Sequence, residues 1–170
     1  TPLTSGEWVV KNVIGFNEKE KTLLYCSNEI HPLQSNIYKV RAKDGKRSLL
    51  DHGEGVHYGN PNADGSRLID RYSSPTVTRS IGILDTKNGK SCNLLTAGDP
   101  WKEYNVPEIS SGSIKAADGV TDLYYRMVKP VDFDPAKKYP TVVYVYGGPH
   151  AHNVEASRNY YARGWEIYMA

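Results

Sequence analysis

The chain has 170 residues, 39% hydrophobic and 24% charged, with a formal net charge of +2 at pH 7. This balance can bury a core and is too close to neutral for a surface built to hold nucleic acid or an anionic membrane. No apolar run reaches the ~20 residues that a spanning helix needs, and a chain that opens on Thr1 with no leader pattern reads as processed or cut from something larger.

Tyrosine is abundant, 13 residues against 2 Phe and 2 Met, and with many Val, Ile and Thr it favours strands. A short pattern recurs in the first hundred residues. Leu3 opens "LTSGE", Leu50 opens "LDHGE" and Leu95 opens "LTAGD", at intervals of 47 and 45 residues. The segments between agree. Residues 12–27 align with 56–73, each a strand, a polar turn and a strand. Residues 35–50 align with 79–95, each a hairpin about Asp44-Gly45 or Asn88-Gly89. Asp-Gly and Asn-Gly tolerate the positive φ that tight hairpins require. Four short strands in about 45 residues match one blade of a β-propeller. The alternative is a two-sheet sandwich with accidental similarities; the joint recurrence of turns and motif favours the propeller. Two blades cannot close a ring, so they read as the end of a longer array.

Cys26 and Cys92 match no metal or redox spacing and read as two buried free thiols, with a bridge between them as the alternative. His31 and His57 read as surface or loop residues of the blades. Residues 97–113 break the repeat with two prolines, two glycines and a Ser-Ser pair. This places the blades at 1–100, a linker at 101–112 and a second domain from 113 to 170. That domain opens with a hairpin about Asp118-Gly119 and a polar connection, "VDFDPAKKYP". The continuous apolar run "TVVYVYGG" (141–148) then reads as a strand buried on both faces of a mainly parallel sheet. Residues 156–163 can be helical, and "WEIYMA" either continues the helix or starts a strand. The fold class is mainly β: the last two blades of a propeller, then the opening of an α/β domain.

The run ends in "YVYGGPH" (144–150). On spacing alone, Tyr146 is a strand tyrosine with its ring in a core. His150 and His152 form a His-x-His pair too weak to mark a metal or catalytic site, and no cofactor motif occurs.

In their order, the two blades, the linker, the K-K-Y-P of residues 137–140 and the V-Y-G-G-P of residues 145–149 resemble the dipeptidyl peptidase branch of the prolyl oligopeptidase family of serine peptidases. The resemblance covers the whole length and implies that the second domain is the truncated start of an α/β-hydrolase domain. It makes Tyr146 an auxiliary oxyanion-hole donor. A phenol, with an ordinary pKa of about 10, is protonated at neutral pH and can donate without carrying charge. Gly147 and Gly148 would let the backbone turn sharply at the strand end, and Pro149 would stiffen the exit. Such a domain needs G-x-S-x-G followed by Asp and His, and these 170 residues contain no G-x-S-x-G. Nucleophile, acid and base are therefore expected beyond Ala170.

The implied parent releases amino-terminal dipeptides after a penultimate Pro or Ala, needs no cofactor, binds peptides and not nucleic acid, and in full-length relatives often dimerises. The family is often periplasmic, secreted or membrane-anchored, with cytosolic members as well. The chain alone is expected to be inactive. The competing reading is a propeller binding module from a catalytically inactive member. A carbohydrate-processing propeller would need paired carboxylates in one cleft, and the sequence offers no such pair.

Overall fold

The turns fix the strand lengths. At both Asp-Gly and Asn-Gly hairpins the glycine takes a left-handed backbone, with φ of 69° at Gly45 and 73° at Gly89. The hydrogen bonds are the same in each. The Gly45 N–H donates to Arg41 O and the Gly89 N–H to Asp85 O, both at 2.9 Å. The side-chain oxygens of Asp44 and Asn88 accept from the N–H of Lys46 and Lys90 two residues on. A computed structural model describes residues 2–148, 150–158 and 164–170.

The described residues form ten strands and a short helix: β1 (Val10–Asn17), β2 (Thr22–Ser27), β3 (Asn36–Arg41), β4 (Arg47–Leu49), β5 (Val56–Pro61), β6 (Arg67–Ser73), β7 (Ser80–Asp85), β8 (Ser91–Thr96), β9 (Glu108–Lys115), β10 (Asp122–Lys129) and α1 (Gly164–Met169). β1 to β4 form one antiparallel sheet in chain order and β5 to β8 a second; β9 and β10 form a separate antiparallel hairpin. The chain divides into two compact units. The first holds the two four-stranded sheets and takes in Glu155–Arg158, where the Ala156 N–H donates to Leu33 O and the Arg158 N–H to Ser73 Oγ. The second runs from Asp99 to Val154 and includes α1.

In the first unit, the alternation along the strands sets which face is buried. Leu24 and Cys26 of β2, Ile37 of β3 and Leu50 meet Leu68 of β6 and Leu84 of β7 in one core, with Ile14 packed against it. Burying an aliphatic side chain of this size stabilises by roughly 1.5–3 kcal/mol. Tyr25, Tyr38 and Val40 form a second cluster on the opposite face of the first sheet. There the Tyr25 ring stacks on Tyr38 at 5.5 Å and its hydroxyl donates to Glu29. Burial pushes the Tyr38 phenol up to about 12.

A polar seam joins the ends of the two sheets. The buried Asn17 amide donates to Gly65 O at 3.1 Å and to Thr86 Oγ1 at 3.0 Å, and the Thr86 hydroxyl donates to the same Gly65 O at 2.6 Å. Lys39 of β3 reaches across to Thr86 O and Lys87 O. Two glycines make this approach possible. A Cβ at Gly65 would lie 2.4 Å from Phe16 O, and one at Gly59 would lie 2.8 Å from Ile14 Cδ1.

Several expectations change. The apolar run 141–148 forms no strand: Val142, Val143 and Val145 are 70%, 77% and 74% exposed. A strand is defined by its ladder, and among the described residues no strand pairs with this segment. β9 starts at Glu108, inside the segment read as linker, because Glu108–Lys115 can pair along its whole length with β10. The two thiols are free, but only Cys26 is buried and Cys92 is exposed. His57 is fully buried, not a surface residue, because its strand position shares a face with the core. Of the stretch 156–163, residues 156–158 are not helical and 159–163 lie outside the described residues. "WEIYMA" takes the helical option, with Trp165–Met169 lying in α1.

Gly65→Ala is expected to destabilise the first unit by at least about 2 kcal/mol, combining left-handed backbone strain with overpacking against the β1 backbone. Gly98→Ala, where an added Cβ meets nothing within 4 Å, is expected to stay within about 0.5 kcal/mol. Urea unfolding followed by circular dichroism checks both.

Candidate active-site segment

The segment that carries Tyr146 leaves a well-built loop. The Phe133 N–H donates to Pro130 O at 3.1 Å and the Lys137 N–H to Asp134 O at 3.0 Å. The Asp134 carboxylate accepts from the Ala136 N–H, and the Asp134 N–H donates to the Tyr139 hydroxyl oxygen at 2.9 Å. Phe133 stacks on Tyr139 at 5.2 Å, with the Lys129 ammonium over the Phe133 ring. Each residue type has a local reason. Asp134 caps the turn opened at Pro135, and the tyrosine of K-K-Y-P pins the loop's start through its oxygen. In the same unit, Arg126 of β10 pairs with Glu166 of α1 at 2.7 Å, both side chains largely buried, so the helix is held to the hairpin.

From Thr141 to Gly147 the chain is exposed. Tyr146 is 48% exposed, so its phenol is available as a donor, and its ring is not the core ring that spacing alone suggested. Gly148 shapes its position: a Cβ there would lie 3.0 Å from Tyr146 Cε1 and 3.4 Å from its hydroxyl oxygen. A side chain at 148 would displace the ring. Gly147 has open space around it. Neither glycine shows the left-handed φ of Gly45 or Gly89, so the expected sharp glycine turn is not built that way. Pro149 lies outside the described residues. His150 and His152 are exposed, and among the described residues no group of three or more His, Cys, Asp or Glu side chains is arranged to hold a metal ion.

Sequence reasoning missed the environment of His57, buried beside Asp51 and Asp70. The signal was present: His57 and Gly59 on β5 alternate together, and Leu68, Asp70 and Tyr72 alternate on β6 with the buried Leu68 among them.

Comparison with known proteins bears on both units. Residues 1–79 match the model of the dipeptidyl peptidase IV (DPP IV) N-terminal region. A crystal structure of a candidate dipeptidyl aminopeptidase IV from Bacteroides ovatus superposes with a TM-score of 0.90 at 48% identity, covering 99% of this chain and 24% of that one. The chain is related to dipeptidyl peptidase IV. The dipeptidyl peptidase 4 of Porphyromonas gingivalis superposes with a TM-score of 0.83 at 27% identity, covering 98% of this chain and 24% of that one. The dipeptidyl peptidase 4 of Trichophyton rubrum is 32% identical over 165 residues, which is 92% of this chain and 21% of that protein. The chain therefore spans between a fifth and a quarter of the dipeptidyl peptidase IV relatives it matches.

Tyr146→Phe is expected to change the stability of this chain by less than about 0.5 kcal/mol, as for other exposed positions. A thermal melt of the two proteins side by side checks this; a larger loss would show the hydroxyl to be structural.

Proposed function

We propose that this chain is a segment of a serine exopeptidase that releases amino-terminal dipeptides after a penultimate Pro or Ala. The two four-stranded sheets are the last two propeller blades of that enzyme. The hairpin from Glu108 and the chain beyond it open its α/β-hydrolase domain, so the boundary falls in residues 99–107 and not at 112. The reading rests chiefly on one observation: the likeness to dipeptidyl peptidase IV structures runs through both sheets and on into the V-Y-G-G-P segment. The second sheet also fits an array that continues. Tyr58, Ile69, Ile83 and Leu95 lie exposed on its outer face, where a neighbouring blade would cover them.

In the parent, an acyl-transfer mechanism would use a Ser-His-Asp triad supplied from outside these residues. The contribution from this segment is Tyr146. Its hydroxyl donates to the oxygen that becomes negative in the tetrahedral intermediate, and Gly148, lacking a Cβ, leaves room for its ring. Holding the donor ready before charge develops is what makes such a group effective, because no reorganisation is needed in the transition state. The peptide is the substrate, and no cofactor enters the scheme.

Two measurements test this. The 170-residue chain alone is expected to release no chromophore from Gly-Pro or Ala-Pro substrates; sustained turnover abolished by a serine-directed inhibitor would overturn the assignment. In the longer enzyme carrying this segment, Tyr146→Phe is expected to lower kcat by roughly 10²–10³-fold with an unchanged melting temperature. Unaltered kcat would remove Tyr146 from the oxyanion hole.

A further inference from the structure

His57 sits where the first sheet hands the chain to the second, and its ring is fully buried. Its Nδ1 lies 2.8 Å from Asp70 Oδ2 on β6 and 3.9 Å from Asp51 Oδ2 in the connection, while its Nε2 lies 2.9 Å from the Glu54 carbonyl oxygen. A neutral imidazole has one donor nitrogen and one acceptor nitrogen. Here a carboxylate faces one nitrogen and a carbonyl faces the other. With Asp70 ionised, only the doubly protonated ring satisfies both. Asp70 depends on it in turn, since its second oxygen, Oδ1, is buried with no hydrogen-bond partner among the described residues.

The other groups around the ring are consistent with a positive charge. Tyr72 of β6 stacks on the imidazole at 4.6 Å, and His52 of the connection meets it edge-on at 4.7 Å. From the first sheet, the Cys26 thiol lies in the field of Asp51 and Asp70 and is itself pushed up, chiefly by burial, with Lys11 of β1 opposing. Burial alone would push the His57 value down; the Asp70 hydrogen bond, the charges of Asp51 and Asp70 and the Glu54 carbonyl outweigh it and leave the value above the ordinary 6.5.

The ring meets the backbone at the Glu54 carbonyl, beside other bonds that hold the same connection. The His57 N–H donates to Ser35 O at 2.8 Å and the Ser35 N–H to Gly55 O at 3.2 Å. Asp51 accepts from the Ile37 N–H at 2.6 Å and the Gly53 N–H at 2.8 Å. We propose that His57 is a proton-operated latch: charged, it ties β6 to the connection between the two sheets, and neutral, it sets acceptor against acceptor and lets that connection open. Because the folded value is raised, the latch contributes fully below the ordinary histidine value. Its contribution is lost as pH rises from there through the folded value.

The test combines histidine NMR with amide exchange on the 170-residue chain. The His57 ring signal is expected to titrate above the ordinary histidine value of 6.5. Protection of the Ile37 and His57 amides, corrected for intrinsic exchange, is expected to fall about tenfold per pH unit between the ordinary and the folded value and to be level on either side. Asp70→Asn can donate from Nδ2 to a neutral Nδ1, so it should lower the His57 midpoint and flatten the protection profile. The proposal is overturned if His57 titrates at or below the ordinary histidine value, if it does not titrate up to pH 10, or if protection stays level through its titration. Should Asp70→Asn not fold, the wild-type titration and exchange decide the matter alone.

Discussion

The first hundred residues depend on a carboxylate that takes the place of a strand. β4 is only three residues long and stops at Leu49. Past it, Asp51 continues the ladder of β3 with its side chain, receiving the Ile37 N–H on one oxygen and the Asn36 amide and Gly53 N–H on the other. This frees the backbone to turn away through Gly53 and Gly55, both with positive φ, and to start β5 beside Ser35 in a parallel bridge. The sheet is thus closed and the chain redirected by one residue.

The strand pattern was legible because it is written in short-range chemistry. Asp44-Gly45 and Asn88-Gly89 need a left-handed glycine whatever surrounds them, so the hairpins follow from two residues each. Burial was harder to read. Leu24, Ile37, Leu68 and Leu84 are apolar and lie inside, but the run Val142–Val145 is as apolar and lies outside. Composition says what a segment could bury; only its neighbours decide whether it does. The same limit explains Cys92: on its own it is a small apolar side chain, yet on β8 it lies exposed.

His57 shows the converse error. A histidine in a polar stretch suggests solvent, and the alternation of β6, in which Asp70 falls on the same side as Leu68, argues otherwise. A partly buried acid diagonally across a strand pair from a histidine is a pattern that sequence displays once the register is known. Tyr146 is intermediate. Its chemical type and its Gly-Gly neighbours were legible; the clearance of its ring over Gly148, its exposure and the missing ladder on either side were not, because these depend on the surrounding backbone and pairing partners, not on the residue.

The register of the second sheet has a practical side. β7 and β8 pair Ile83 with Cys92, so the thiol stands on the bare apolar face, while the chain's other thiol is sealed in the core. A maleimide dye or spin label should therefore attach at a single place. Anything that later settles on that face, whether a further sheet of a longer polypeptide or a second molecule, must cover the attachment point and slow the reaction. Through Cys92 the molecule carries its own reporter of whether its open side is occupied.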